Sequence, residues 1–214
     1  MKILLIAPHP DDEVLGCGGT IKKYSQLGDD IYLCVVTKAY APDWSRSFIK
    51  NREKEIKCAV KSLGIKETIF LDFPTVKLDA ISQKKLNDSI SKCIQRFNPE
   101  IVFSPFYGDI NKDHKLVSEA TMVAVRPKPD STIKRVLFYE VLLSAEGAFV
   151  PNIYEDIADF LDDKIKAMEC YKSELRDYPH PRSSEGIKIT AQKRGMESGV
   201  KAAEAFMLLR EVVK

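Results

Sequence analysis

The chain lacks three things that would each point to a function class: a charge excess, a closely spaced cysteine pair and a long apolar run. In 214 residues, 33 Lys and Arg stand against 31 Asp and Glu, a net charge of +2. That balance leaves no electrostatic footprint for nucleic acid and no charged tail to steer a partner. No stretch approaches the roughly 20 apolar residues of a membrane span. Met1 to Ala7 is too short for the apolar part of a signal peptide and lacks a small-residue cleavage site, so it reads as a first strand. The five cysteines, Cys17, Cys34, Cys58, Cys93 and Cys170, are odd in number and contain no C-x-x-C. All five are expected to act as small hydrophobes, with a reducing cytoplasm as the default location. There is no G-x-S-x-G nucleophile turn. Gly16-Cys17-Gly18-Gly19 arrives some two helical turns after the first strand, behind three carboxyl groups. It is therefore no phosphate cradle, and its glycines read as places of close helix–sheet packing.

What is present is a globular mixture, 44% hydrophobic and 30% charged, sufficient for one domain spanning 1–214. Short apolar runs alternate with helical patterns. Strands are expected over Ile3 to Ala7, Ile31 to Thr37, Thr68 to Phe73, Ile101 to Ser104 and Lys134 to Leu142. Helices are expected over Asp12 to Gly28, Ser47 to Leu63, Leu78 to Phe97, Asp113 to Val125, Asp159 to Leu175 and Glu185 to Gly195. Ala203 to Val213 fits strand or helix equally. The alternation predicts an α/β, Rossmann-like fold with a mostly parallel sheet and helices on both faces.

Open α/β sheets bind ligands beyond the carboxyl ends of their strands. The first strand is followed by His9-Pro10-Asp11-Asp12-Glu13, an imidazole beside three carboxyl groups. Helix capping accounts for one or two such acids. Three adjacent carboxylates require a counter-charge, which a divalent cation supplies. His9 and Asp12 suit zinc, with iron, cobalt or manganese as alternatives. A catalytic zinc takes a third protein ligand, and the chain has only three histidines. His114 leaves the fourth strand as His9 leaves the first, so it is a better candidate than His180 in the late Tyr178-to-Ser184 loop.

Ala7-Pro8-His9-Pro10-Asp11-Asp12-Glu13 with Gly16-Cys17-Gly18-Gly19 resembles the opening of the LmbE-like/PIG-L deacetylases, a zinc-dependent family acting on N-acetylglucosamine conjugates. The likeness extends to Arg52-Glu53-Lys54-Glu55 with Leu63-Gly64, to Asn111-Lys112-Asp113-His114, to His180-Pro181-Arg182-Ser183 and to Ala203-Glu204-Ala205-Phe206.

The resemblance implies a metal-dependent N-deacetylase with zinc on His9, Asp12 and His114, and Asp11 as general base. It implies Asp113 as a carboxylate orienting His114, and Arg52, Tyr107 and Arg182 as substrate contacts. Asn111 occupies the position of the family's first histidine in H-x-D-H. An amide donates a hydrogen bond but is no acid at neutral pH. His180 is therefore expected to reach over the metal and share the stabilisation of the oxyanion, with Arg182 projecting alongside it. The expected partner is a small N-acetyl amino sugar, without nucleic acid or membrane span, in a homo-oligomer. Two other readings stand beside this one: a metal-dependent amidase acting on a thiol conjugate, and a metal- or sugar-binding module without turnover.

Overall fold

Residues 2–7 carry five consecutive apolar side chains, and the computed structural model buries all of them in the centre of a sheet. It describes residues 1–142 and 149–213. The strands are β1 (Lys2–Ala7), β2 (Asp30–Lys38), β3 (Glu67–Pro74), β4 (Ile101–Pro105), β5 (Arg135–Tyr139), β6 (Ile153–Asp156) and β7 (Ala203–Glu211). The helices are α1 (Asp12–Gln26), α2 (Arg46–Leu63), α3 (Gln83–Phe97), α4 (Lys112–Ala124), α5 (Leu161–Glu169) and α6 (Ser184–Ser198). The seven strands lie in the order β3-β2-β1-β4-β5-β7-β6. Pairings among β1 to β5 are parallel, and β7 runs antiparallel to both β5 and β6.

Strand alternation splits β1 between two cores. Ile3, Leu5 and Ala7 pack with Val14 and Cys17 of α1, Ile56 of α2 and Ala167 of α5. Leu4 and Ile6 pack with Ile90 of α3 and Val117 of α4. Helices therefore cover both faces, as the unbroken apolar runs predict. Two glycines of α1 let it sit close. A Cβ on Gly16 would stand 2.2 Å from the Tyr139 ring and one on Gly19 2.7 Å from Ile157, so the Gly-rich run does serve packing.

The expected helix from Leu78 is interrupted. A 3-10 turn covers Leu78–Ala80, and α3 begins at Gln83, where the Ser82 hydroxyl accepts the Lys85 N–H at 3.4 Å. A serine offering its oxygen to the first turn restarts the helix there. The expected helix to Leu175 stops at Glu169, and Ala203–Glu211 is a strand, fixed by its partners on both sides. Strand β6 is not foreshadowed by any pattern, being short and half-polar.

The cysteine expectation holds for Cys17, Cys34 and Cys93, which are free and buried. It fails for Cys58 and Cys170, which form a disulfide between α2 and the segment after α5. Their separation of 112 residues hides a proximity that only the fold creates. No described helix is long and apolar enough to cross a membrane.

Candidate metal centre

The strand order reverses at β1, which has β2 on one side and β4 on the other. Doubly wound sheets open a crevice at such a reversal, and both histidine-bearing loops leave strands that border it. The β1 loop is pinned by the Pro8 carbonyl, which accepts the Thr37 N–H at 3.0 Å and its hydroxyl at 2.8 Å. Asp11 then adopts a left-handed backbone, φ 107°, a conformation that costs on the order of 1–3 kcal/mol in a non-glycine residue. Glu13, fully buried, holds it in place: one oxygen accepts the Asp11 N–H at 3.0 Å and the other accepts the Tyr171 hydroxyl. The Asp11 side chain makes no capping hydrogen bond to α1, so capping does not account for it.

His9 Nδ1, Asp12 Oδ2 and His114 Nε2 form a triangle. The two nitrogens are 3.1 Å apart, and each lies 3.3 Å from the carboxylate oxygen. Ligands at zinc-type bond lengths in tetrahedral array are separated by about 3.3 Å. Each ring is held from behind. His9 Nε2 meets Asp113 Oδ2 at 3.0 Å, and His114 Nδ1 meets Asp109 Oδ2 at 2.7 Å. A carboxylate behind a ring fixes the proton on the outer nitrogen and leaves the inner lone pair for a metal. The residues therefore fit a divalent transition ion. Asp113 backs His9, not His114 as expected; the carboxylate behind His114 is Asp109, from the loop that leads into α4. Asp113 is steadied in turn by the Val76 and Leu78 N–H groups.

The site's electrostatics favour positive charge among these donors. Burial works to raise the Asp12 carboxyl, yet the His114 and His9 rings hold it far below the usual carboxylate range. Burial works to lower His9, but hydrogen bonds with Asp113 and Asp12 outweigh it and lift the ring to about 9. His114 is lifted to about 10 against its burial, chiefly by the Asp12 charge and the bond to Asp109.

Asp11 is only 2% exposed and lines a cavity of about 460 Å³ beside the triangle. Burial, then the Asp12 charge, pushes its carboxyl up to about 8, while Arg182 and Arg52 pull the other way. Its Oδ2 has no hydrogen-bond partner among the described residues and stands 3.4 Å from the Arg182 guanidinium. Arg182 also pairs with Glu174 at 2.7 Å, and Glu174 in turn holds Arg52. Arg52 lies over the Phe48 and Tyr171 rings at 5.2 and 5.6 Å. Both arginines line the cavity.

The other expected residues fall less neatly. Asn111 lines the cavity, but its side-chain oxygen caps α4 by accepting the Asp113 N–H at 3.0 Å. Only its amide N–H₂ is left to donate. His180 does not line the cavity; its Nδ1 accepts the Arg182 backbone N–H at 3.1 Å. The chain turns there instead of extending, so the arginine reaches Asp11 and the imidazole does not. Tyr107 is 48% exposed, packs its ring on Phe106 and Phe138, and also lies outside the cavity lining. Sequence reading missed Asp109, Glu174, Tyr171 and the role of Glu13. Asp109 had a signal, an acid five residues before His114; Glu174 and Tyr171 had none near any motif.

Comparison with known proteins finds relatives over most of the chain. The family model described as "PIG-L: GlcNAc-PI de-N-acetylase" matches residues 4–125. A probable N-acetyl-alpha-D-glucosaminyl L-malate deacetylase 2 of Bacillus anthracis is 28% identical, covering 92% of this chain and 88% of that protein. The diacetylchitobiose deacetylase of Thermococcus kodakarensis is 26% identical, covering 96% of this chain and 82% of that protein. Among solved structures, a conserved protein of Thermus thermophilus, TT1542, superposes with a TM-score of 0.82 at 26% identity, over 99% of this chain and 96% of that one.

Proposed function

Because the chain belongs to the PIG-L, GlcNAc-PI de-N-acetylase, family, we propose that it is a metal-dependent hydrolase removing the acetyl group from an N-acetylated amino sugar or its conjugate. The whole chain, 1–214, is a single domain in this reading. The observation that carries it is the placement of Asp11 beside a His9–Asp12–His114 triangle spaced for one metal ion. Asp11 is a buried carboxylate whose Oδ2 accepts no hydrogen bond among the described residues and faces only the Arg182 guanidinium.

The metal is proposed to be zinc, matched by its N/N/O donor set. Bound there, such an ion supplies Lewis acidity, which polarises an amide carbonyl and makes water nucleophilic near neutral pH. The protein's own groups do the rest. Asp11 takes the proton of the attacking water and returns it to the departing nitrogen, so one O–C bond forms, one C–N bond breaks, and acetate and a free amine leave. Arg182 lies 3.4 Å from Asp11 and fixes the orientation of that carboxylate. The free amide N–H₂ of Asn111 is the donor proposed for the negative charge that develops on the acetamide oxygen. His180 contributes by positioning, since its ring anchors the Arg182 backbone.

The test is acetate release by zinc-loaded protein from a panel of N-acetyl amino sugars and conjugates. Release from at least one member, lost on chelation and restored by metal, is expected. Stoichiometric metal with no acetate from any member would leave only a binding module.

A further inference from the structure

Left-handed backbone in residues other than glycine is rare, and its clustering in one place calls for a cause. Among the described residues Asp11, Asp72, Val76 and Asn98 adopt it. Asn98 caps the C-terminus of α3, an ordinary place for an asparagine. The other three all line the cavity beside the metal triangle. Aspartate tolerates the conformation because its short polar side chain can bond locally. Valine does not, since the two methyl groups on its Cβ make φ 60° a costly state. Strain of this kind persists only where the surrounding contacts impose it.

Asp113 imposes it. Its Oδ2 accepts the Val76 N–H at 2.6 Å and meets His9 Nε2 at 3.0 Å, while its Oδ1 accepts the Leu78 N–H at 3.3 Å. Lys112, one residue earlier, pairs with Asp79 at 2.9 Å. The start of α4 thus grips the segment between β3 and α3 at three points, and the Val76 backbone stands two hydrogen bonds from the His9 ring. Packing of the Val76 side chain does not offset the strain, because Val76 is 71% exposed. Glycine or asparagine would take the same backbone at lower cost. What valine adds is an apolar surface at the lip of the cavity, next to a candidate metal ligand.

We propose that the Val76 turn is a specificity-determining lip that meets the sugar ring carrying the acetamide, and that Asp113 positions this lip as well as His9. This rests on the deacetylase reading above and deepens it. One carboxylate then sets both a metal ligand and the wall against which the reacting ring lies. Asp109 backs the other histidine, His114, and so provides the contrast. Lys77 pairs with Asp43, the residue before Trp44. Trp44, the chain's only tryptophan, lines the same cavity, so its emission reports binding without any turnover.

The experiment compares zinc-loaded wild-type protein with Asp113→Asn, Asp109→Asn, Val76→Gly and Val76→Asn. Zinc affinity is measured by competition with a chelator, N-acetylglucosamine binding by Trp44 emission, and KM and kcat by acetate release. Both carboxylate variants should bind zinc about 10–100-fold more weakly. At saturating zinc Asp109→Asn should regain the wild-type Kd and KM for the sugar. Asp113→Asn should keep both raised about tenfold, with the smaller part of its loss in kcat. The two Val76 variants should hold zinc within about twofold and melt no lower than wild type, yet raise Kd and KM about tenfold. The same factor is expected for N,N'-diacetylchitobiose, because the lip meets the acetamide-bearing ring common to both. Sugar binding that recovers at saturating zinc in Asp113→Asn, or that is unchanged in both Val76 variants, would overturn the proposal. So would loss of zinc in Val76→Gly, or failure of the wild-type protein to bind the sugar. If acetate is released under any of those outcomes, the deacetylase reading stands and this one falls. If the sugar binds in the expected order but no acetate appears, the lip stands and the deacetylase reading falls.

Discussion

The two sides of the cavity are built differently. One side comprises the β1–α1 and β4–α4 segments leaving neighbouring parallel strands, where each side chain of the triangle has a carboxylate or backbone partner within a few residues or directly across the crevice. The other side joins α2 to the segment after α5, elements remote in sequence. There Arg52 meets Glu174, Glu55 accepts both the N–H and the hydroxyl of Ser173, and Cys58 is bonded to Cys170. The first side fixes geometry through strand ends, whose positions the sheet dictates. The second fixes it through long-range pairs that exist only once the chain has folded. The first should govern chemistry, the second fit and rigidity. Variants can test that division.

The largest effect is expected at the centre. His114→Ala removes one corner of the triangle, and stoichiometric metal and turnover should vanish together, as elemental analysis and acetate release would show. A variant that retained tightly bound metal and full activity would dissolve the distinction. Asp11→Asn should keep its metal while turnover falls about 10²–10⁴-fold, the usual loss of a general base. Asp109→Asn acts one layer out. By loosening the His114 ring it should weaken metal affinity about 10–100-fold, with turnover recovering at saturating metal. Failure to recover would give Asp109 a role in the chemistry itself.

The contrast also explains what the sequence reveals and what it conceals. Strand β1, its neighbours and the candidate ligand triangle are legible because apolar runs mark parallel strands and ligand sites follow their carboxyl ends. His9, Asp12 and His114 are thus readable from local order alone. Asp113 stands behind His9 and not His114, because sequence adjacency to His114 suggests a contact that a helix start does not allow. Its side chain faces back across the crevice to His9. An extended chain would aim His180 over the metal, but a turn exchanges its place with Arg182. Glu174 and the disulfide are invisible in the sequence, since no local pattern encodes a partner over a hundred residues away.

On the remote side a smaller effect is expected. Glu174→Gln leaves Arg52 and Arg182 without their shared anion. Both guanidinium groups are partly exposed, so solvent screens much of the loss, and stability should fall by about 1–2 kcal/mol. The two arginines then lose their fixed spacing along the cavity. A decrease of about tenfold in kcat/KM, equivalent to about 1.4 kcal/mol, should appear mainly in KM, with metal stoichiometry unchanged. A loss confined to kcat would move Glu174 to the chemical side of the comparison.

The smallest effect on turnover is expected from opening the disulfide. Cys58 and Cys170 are 112 positions apart in sequence, and crosslinks of this kind typically contribute about 2–4 kcal/mol, largely by restricting the unfolded chain. For a protein of this size each kcal/mol moves the thermal midpoint by about 2–4 °C, so Cys58→Ser with Cys170→Ser should lower Tm by about 4–16 °C. Neither sulfur touches the triangle or Asp11, and the Glu55–Ser173 and Arg52–Glu174 pairs still bind the two elements together. Turnover at 25 °C should therefore stay within about threefold and metal content should not change. Calorimetry and acetate release on the double variant, and on wild-type protein treated with a thiol reductant, measure both quantities. A fall in turnover exceeding tenfold with metal still bound would show that the remote wall transmits its position to Asp11 through Tyr171 and Glu13, the hydrogen-bonded path that begins next to Cys170. The two sides would then form one catalytic unit instead of a chemical centre beside a binding wall.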